Sequence, residues 1–210
     1  MEKVTKDELI SYLVELHDDA KCALNYTNDY ELLSAIILSA QTTDISVNKV
    51  TKELFKKYPT IKDMSMADIN DVMNIIHSIG LYKNKATSLI ESMKKLRSDG
   101  FTSIPNDYDY LISLPGVGRK TANVFLSEYY DKNTLGVDTH ILRISKRLGI
   151  IKEDEDVIKA EQNLLKLIGD YPTKKFHHMM IQFGRNECTS RNPSCINCKL
   201  KKKCKEGRRI

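Results

Sequence analysis

The chain has 210 residues, with 33 Lys and Arg against 28 Asp and Glu, a formal charge of +5 and five cysteines. That length buries one good core or two small ones, and so mild a basic excess does not by itself demand a nucleic acid. The charged opening Met1-Glu-Lys-Val-Thr-Lys-Asp-Glu is no signal peptide, and the longest apolar run, Leu32–Ala40, is too short to span a bilayer. A soluble, intracellular protein without a membrane partner is expected.

Helical signals run the length of the chain. Thr5-x-x-Glu8 is a capping box, and Leu9, Tyr12, Leu13 and Leu16 form the apolar stripe of a first helix. Asn28-x-x-Glu31 opens a second, apolar nearly all round from Leu32 to Leu38 and therefore the central buried helix. Asp44 caps a third that ends before Pro59. Ser65-x-x-Asp68 opens a fourth, with Ile69, Val72, Met73 and Ile76 facing inward and Gly80 as its stop. A fifth covers about 83–98 and stops at Gly100, and Asn106 caps a short sixth. Further helices are expected over about 139–148, 155–168 and 173–186, the first two stopped by Gly149 and Gly169. No segment alternates with period two before a hairpin turn, so the fold is all-α.

The stretch Leu114–Asp138 carries the chemistry. Pro115 stops the short helix, and Gly116-Val117-Gly118 permits a tight hairpin whose backbone can approach a ligand closely. A new helix starts near Arg119 and runs to about Tyr130. Its first-turn N–H groups lack intrahelical partners and suit an anion, so the hairpin with Arg119 makes a sequence-blind phosphate clamp. Lys120 sits in that first turn, where the positive helix end and nearby cations disfavour its charge. Partial desolvation would then leave it as a free amine able to attack a sugar C1′. Asp138 follows apolar Leu135-Gly136-Val137 and precedes a helical pattern, so it reads as an N-cap whose backbone N–H partners keep it ionised. An amine and a fixed carboxylate together can open a glycosidic bond. Taken singly, such a lysine is an ordinary surface residue and such an aspartate an ordinary cap.

Four cysteines crowd the tail. Cys188, Cys195, Cys198 and Cys204 are separated by six, two and five residues. In a reducing compartment they are metal ligands rather than disulfides. Zinc sites usually use two short C-x2-C pairs, and only one is present here, which tilts the reading toward iron–sulfur while leaving zinc open. From Lys199 onward seven basic residues face the single acid Glu206. Cys22 stands apart and reads as a packing residue.

Leu114-Pro-Gly-Val-Gly-Arg-Lys-Thr-Ala-Asn123 with Val137-Asp-Thr-His140 resembles the helix-hairpin-helix and catalytic aspartate of the endonuclease III family of DNA glycosylases. The C-x6-C-x2-C-x5-C spacing matches that family's [4Fe-4S] motif, and the resemblance covers nearly the whole chain. It implies two helical domains: a six-helix domain over 22–132 holding the hairpin, and a discontinuous iron–sulfur domain of 1–21 plus 133–210. The active-site cleft would lie between them. It further implies a monomeric, bifunctional glycosylase and AP lyase acting on double-stranded DNA with a damaged pyrimidine or an abasic site. Lys120 and Asp138 would be the catalytic pair, and no nucleotide or divalent metal would be needed. The cluster would hold a cationic loop, Arg191 and the lysines after it, against phosphates.

A base must leave the stack before it can be cut out, and something must fill the gap. Gln41 could hydrogen-bond the orphaned base and Leu81 could be an apolar wedge. Alternatively Gln41 joins a buried polar network, and Leu81 packs back on its own helix. His140 and Arg143 are further DNA-contact candidates, His140 also serving the local turn. Position 112 is Ile where some relatives are acidic, a difference expected to touch the environment of Lys120 rather than the reaction type. Two other functions remain: a monofunctional mismatch adenine or thymine glycosylase, against which Lys120 argues, and a non-catalytic hairpin module stapled by zinc.

Overall fold

The structure, a computed structural model, describes residues 3–209. Met1 and Glu2 of the charged opening, Ile210 of the basic tail and the Arg209 side chain lie outside the described residues. Among those described there are eleven α-helices, three short 3-10 turns and no strand, the all-α class expected. No helix among them is long and apolar enough to cross a membrane.

Residues 22–130 form one compact unit. Its middle is α2 (Asp29–Leu38), in which every side chain from Leu32 to Leu38 is buried. Around it pack α3 (Asp44–Lys57), α6 (Tyr82–Ser98) and α8 (Arg119–Tyr130). Each surrounding helix buries a stripe at helical spacing, such as Val47, Val50 and Leu54 on α3 and Leu89, Met93 and Leu96 on α6. Burying each such side chain contributes about 1.5–3 kcal/mol. Cys22 packs half-buried against this core. Several details depart from the sequence reading. Ser65 does not open a helix: it ends α4 (Ile61–Ser65), donating its hydroxyl to the Lys62 carbonyl, while Asp68 caps α5 (Ile69–Ile76). Gly80 is not the stop of α5 either, because that helix closes at Ile76 and the left-handed residue beyond it is Leu81. The unit finishes with α7 (Tyr108–Ile112), capped by Asp107 rather than Asn106, and with α8.

Residues 1–21 and 131–210 form the other unit. There α1 (Lys6–His17), α9 (Thr139–Arg147), α10 (Val157–Ile168) and α11 (Thr173–Asn186) enclose Leu9, Leu13, Ile141, Ile144, Leu164 and Phe176. The capping box at Thr5 is present in both directions, the Thr5 side chain accepting from the Glu8 N–H and the Glu8 side chain from the Thr5 N–H. Close approach of α11 to α9 depends on Gly184, where an added Cβ would lie 2.8 Å from the His140 Cβ.

Candidate active site and cysteine cavity

The hairpin is held from both sides. Leu111, Leu114 and Val117 drop into the core, and the Val117 N–H donates to the Leu114 carbonyl at 3.1 Å. Ser92 of α6 donates to the Pro115 carbonyl at 2.7 Å. The two glycines do different work. Gly116 has φ +77°, and a Cβ there would sit 2.7 Å from the Ser88 Cβ. Gly118 has an ordinary φ and open space around the Cβ it lacks. Arg119 reaches back over α7, donating to the Tyr108 hydroxyl at 3.3 Å and lying 5.9 Å from that ring's centre. Lys120 is exposed on the first turn of α8, and Ile112 is exposed before the hairpin.

Gln41 and Leu81 occupy adjoining loops, an Ala-type Cβ at Gly80 lying 3.8 Å from the Gln41 carbonyl. Both are left-handed, with φ of 52° and 59°, and a bulky residue in that region carries strain. Leu81 is 55% exposed, so it does not pack back on its own helix. Gln41 is exposed too, outside any buried network.

On the other unit, Asp138 is the N-cap of α9, and its Oδ1 accepts from the Ile141 N–H at 2.8 Å. Ile141, Ile144 and Ser145 of this helix are buried, while His140, Arg143 and Arg147 are half-buried. Arg143 donates through Nη2 to the carbonyls of Gly184 at 2.8 Å and Cys188 at 3.0 Å, with His140 Nδ1 3.1 Å away. Burial pulls its guanidinium pKa down. Arg147, which the sequence reading missed, donates to the carbonyls of Thr189 and Ser190 at 2.7 and 3.0 Å and to Cys188 Sγ at 3.3 Å. Arg143 and Arg147, one turn apart, thus fasten the start of the cysteine loop. The i, i+4 spacing was visible, but the carbonyls they meet are some 40 residues away in sequence.

Cys188, Cys195, Cys198 and Cys204 all line one cavity, walled by Ile144, Leu148 and Phe183 and with Arg147 at its side. None is in a disulfide. Burial pushes the Cys188, Cys195 and Cys198 thiols up, and a metal centre bound there would deprotonate them. Donors are already aimed at sulfur: Arg147 at Cys188, the Tyr12 hydroxyl and the Leu200 N–H at Cys198. Four thiolates lining one cavity can hold an iron–sulfur cluster or a zinc ion.

The basic tail is less available than its composition suggests. Lys203 lies 2.7 Å from Glu8, holding that carboxyl down at about 2, Lys199 pairs with Glu15, and Lys205 lies 3.0 Å from Glu153. Two of these lysines therefore tie the loop to α1, while Arg191, Lys201 and Lys202 remain exposed.

Residues 34–170 match the family described as HhH-GPD superfamily base excision DNA repair protein. Endonuclease III of Bacillus subtilis (strain 168) is 40% identical over 195 residues, spanning 93% of this chain and 89% of that protein. Endonuclease III of Buchnera aphidicola subsp. Acyrthosiphon pisum is 37% identical over 210 residues, the full length of both chains. A solved structure of a trapped endonuclease III–DNA covalent intermediate, an estranged-adenine complex, superposes with a TM-score of 0.91 at 42% identity over 98% of each chain. Likeness of this depth, continuous from the first helix through the cysteine tail, makes the chain a member of the endonuclease III family within the HhH-GPD superfamily.

Proposed function

We propose that this protein removes oxidised pyrimidines from duplex DNA and then cuts the strand 3′ to the abasic site, with Lys120 as nucleophile and Asp138 as its carboxylate partner. The reaction class, DNA glycosylase and AP lyase of base excision repair, follows from membership of the family. One observation carries the assignment of roles. Lys120 stands exposed on the first turn after the hairpin, in a chain 42% identical to an endonuclease III trapped as a covalent intermediate with DNA.

In this reading the hairpin N–H groups and Arg119 grip phosphates without reading sequence. Gln41 and Leu81 enter the duplex as the damaged nucleotide turns out. The bound substrate supplies the desolvation that the exposed Lys120 lacks alone. The free amine attacks C1′, the C1′–N glycosidic bond breaks, and the base leaves with the electron pair and takes up a proton. Asp138 stabilises the positive charge that develops on the sugar. The nitrogen lone pair then expels O4′, which leaves with the C1′–O4′ electron pair and takes up a proton, giving a protonated imine that acidifies the C2′ hydrogen. Loss of that proton expels the 3′ phosphate by β-elimination, and water then hydrolyses the imine to free Lys120. Cys188, Cys195, Cys198 and Cys204 would hold a [4Fe-4S] cluster, which when bound supplies a covalent core for the loop carrying Arg191.

A duplex with one oxidised pyrimidine tests the reading. The expected products are free base, a 3′ unsaturated aldehyde end and a 5′ phosphate end. Base release from a strand that stays intact until alkali treatment would instead mean a water-using, monofunctional glycosylase.

The hairpin glycines give a second expected result. Gly118→Ala should unfold within about 0.5 kcal/mol of wild type, yet bind every duplex more weakly, because its new Cβ projects where a phosphate must come close. Gly116→Ala should lose about 1–3 kcal/mol through left-handed strain and the Ser88 clash. Urea unfolding and binding to unrelated duplex sequences check both, and a sequence-selective loss with Gly118→Ala would refute the phosphate role.

A further inference from the structure

The two left-handed loops share one unexplained neighbour. Lys85, on the second turn of α6, is only 5% exposed, the one buried lysine among the described residues. A buried ammonium has three N–H groups to satisfy and is expensive to keep without a purpose. Its Nζ donates to Thr42 Oγ1 at 2.7 Å. The Thr42 hydroxyl in turn donates to the Ala40 carbonyl at 3.3 Å. Side-chain bonds from Lys85 therefore reach both residues flanking Gln41. At the other end, the Lys85 backbone N–H donates to the Leu81 carbonyl at 3.0 Å. One residue is bonded through its side chain to the neighbours of one strained residue and through its backbone to the other.

We propose that Lys85 is a positioning residue that bolts the Gln41 and Leu81 loops together, so that both enter the duplex as one preformed unit. The inference rests on the proposed insertion roles of Gln41 and Leu81. Its physical basis is that a left-handed Gln and a left-handed Leu persist only where surrounding bonds over-determine the backbone. The Lys85–Thr42–Ala40 chain supplies that constraint on the Gln41 side, and the first turn of α6 supplies it for Leu81. At 5% exposure the Lys85–Thr42 hydrogen bond meets little competition from water and is stronger than an exposed one. Preorganised loops spare the complex the ordering cost of two segments at the moment of base extrusion.

The test uses the full chain and a duplex with one oxidised pyrimidine opposite 2-aminopurine, whose fluorescence rises when it is unstacked. Lys85→Met keeps the buried stem and removes the donor. It is expected to slow the fluorescence rise and single-turnover base release by about tenfold, and to slow cleavage at a preformed abasic site at least fivefold less. Thr42→Val, nearly isosteric, should reproduce this slowing, Thr42→Ser should keep wild-type rates because it keeps the hydroxyl, and Lys85→Met with Thr42→Val should be no worse than either alone. Should Lys85→Met fail to fold, the Thr42 pair decides alone. Equal slowing on both substrates, or Thr42→Val at the wild-type fluorescence rate, would overturn the proposal. No fluorescence rise in the wild type would overturn the insertion reading beneath it, and this inference with it.

Discussion

Borohydride added while the protein acts on a duplex with one abasic site is expected to leave a covalent protein–DNA adduct in the wild type and none in Lys120→Ala. Borohydride reduces the imine carbon–nitrogen bond to a stable amine, so the trap reports the nucleophile itself. Removing the amine should lower strand cleavage by at least about 10³-fold, the order lost when a covalent nucleophile is deleted. The loss cannot be confused with unfolding. Lys120 is exposed on the first turn of α8, where a cation is mildly unfavourable, so Ala there should change stability by no more than about 0.5 kcal/mol. Adducts in both proteins would move the nucleophile to another amine. No adduct in either, with duplex binding retained, would point to a water-using glycosylase.

How far such a site can be read from sequence depends on whether the deciding contact is local. The Thr5 box, the Asn28 cap and the Asp138 cap were legible because a side chain and an N–H three residues on settle each of them. Where two good caps stand side by side, sequence offers no means of choosing. Thr43 accepts from the Ser46 N–H, and Asp44 serves instead as first-turn negative charge. At the next pair Asp107, not Asn106, accepts from the Tyr110 N–H. The five residues of α4 are too few to set up a helical period, so the sequence does not show that Ser65 closes one helix rather than opening the next. The left-handed backbones at Gln41 and Leu81 could not be foreseen, since neither residue favours that region and the Lys85–Thr42 bond beside Gln41 joins residues 43 apart. Equally distant in sequence are the carbonyls that Arg143 and Arg147 meet, those of Cys188 and Thr189. The cysteines were legible as a set from spacing, but the cavity they share with Ile144, Leu148 and Phe183 required coordinates.

Asp138→Asn is expected to separate the two duties of that residue. As an N-cap, Asp138 needs only one oxygen for the Ile141 N–H. Asn offers the same oxygen and caps about as well, so the variant should keep stability to within about 1 kcal/mol, the remainder being the lost attraction between a carboxylate and the helix end. Asp138→Ala should lose about 1 kcal/mol more through the missing cap. As a catalytic carboxylate, Asp138 has lone pairs to spare beyond the cap, and their negative charge opposes the cation forming on the sugar. Asn removes that charge, so base release should fall on the order of 10²–10³-fold in both variants. Cleavage at a preformed abasic site should fall less, because the bond whose breaking creates the cation is already gone. The comparison turns on Asn. If Asp138→Asn releases base at the wild-type rate and only Asp138→Ala is slow, the carboxylate is a helix cap and the sugar cation is stabilised by another group. If Asn and Ala are equally slow while only Ala is unstable, the charge is what the reaction uses.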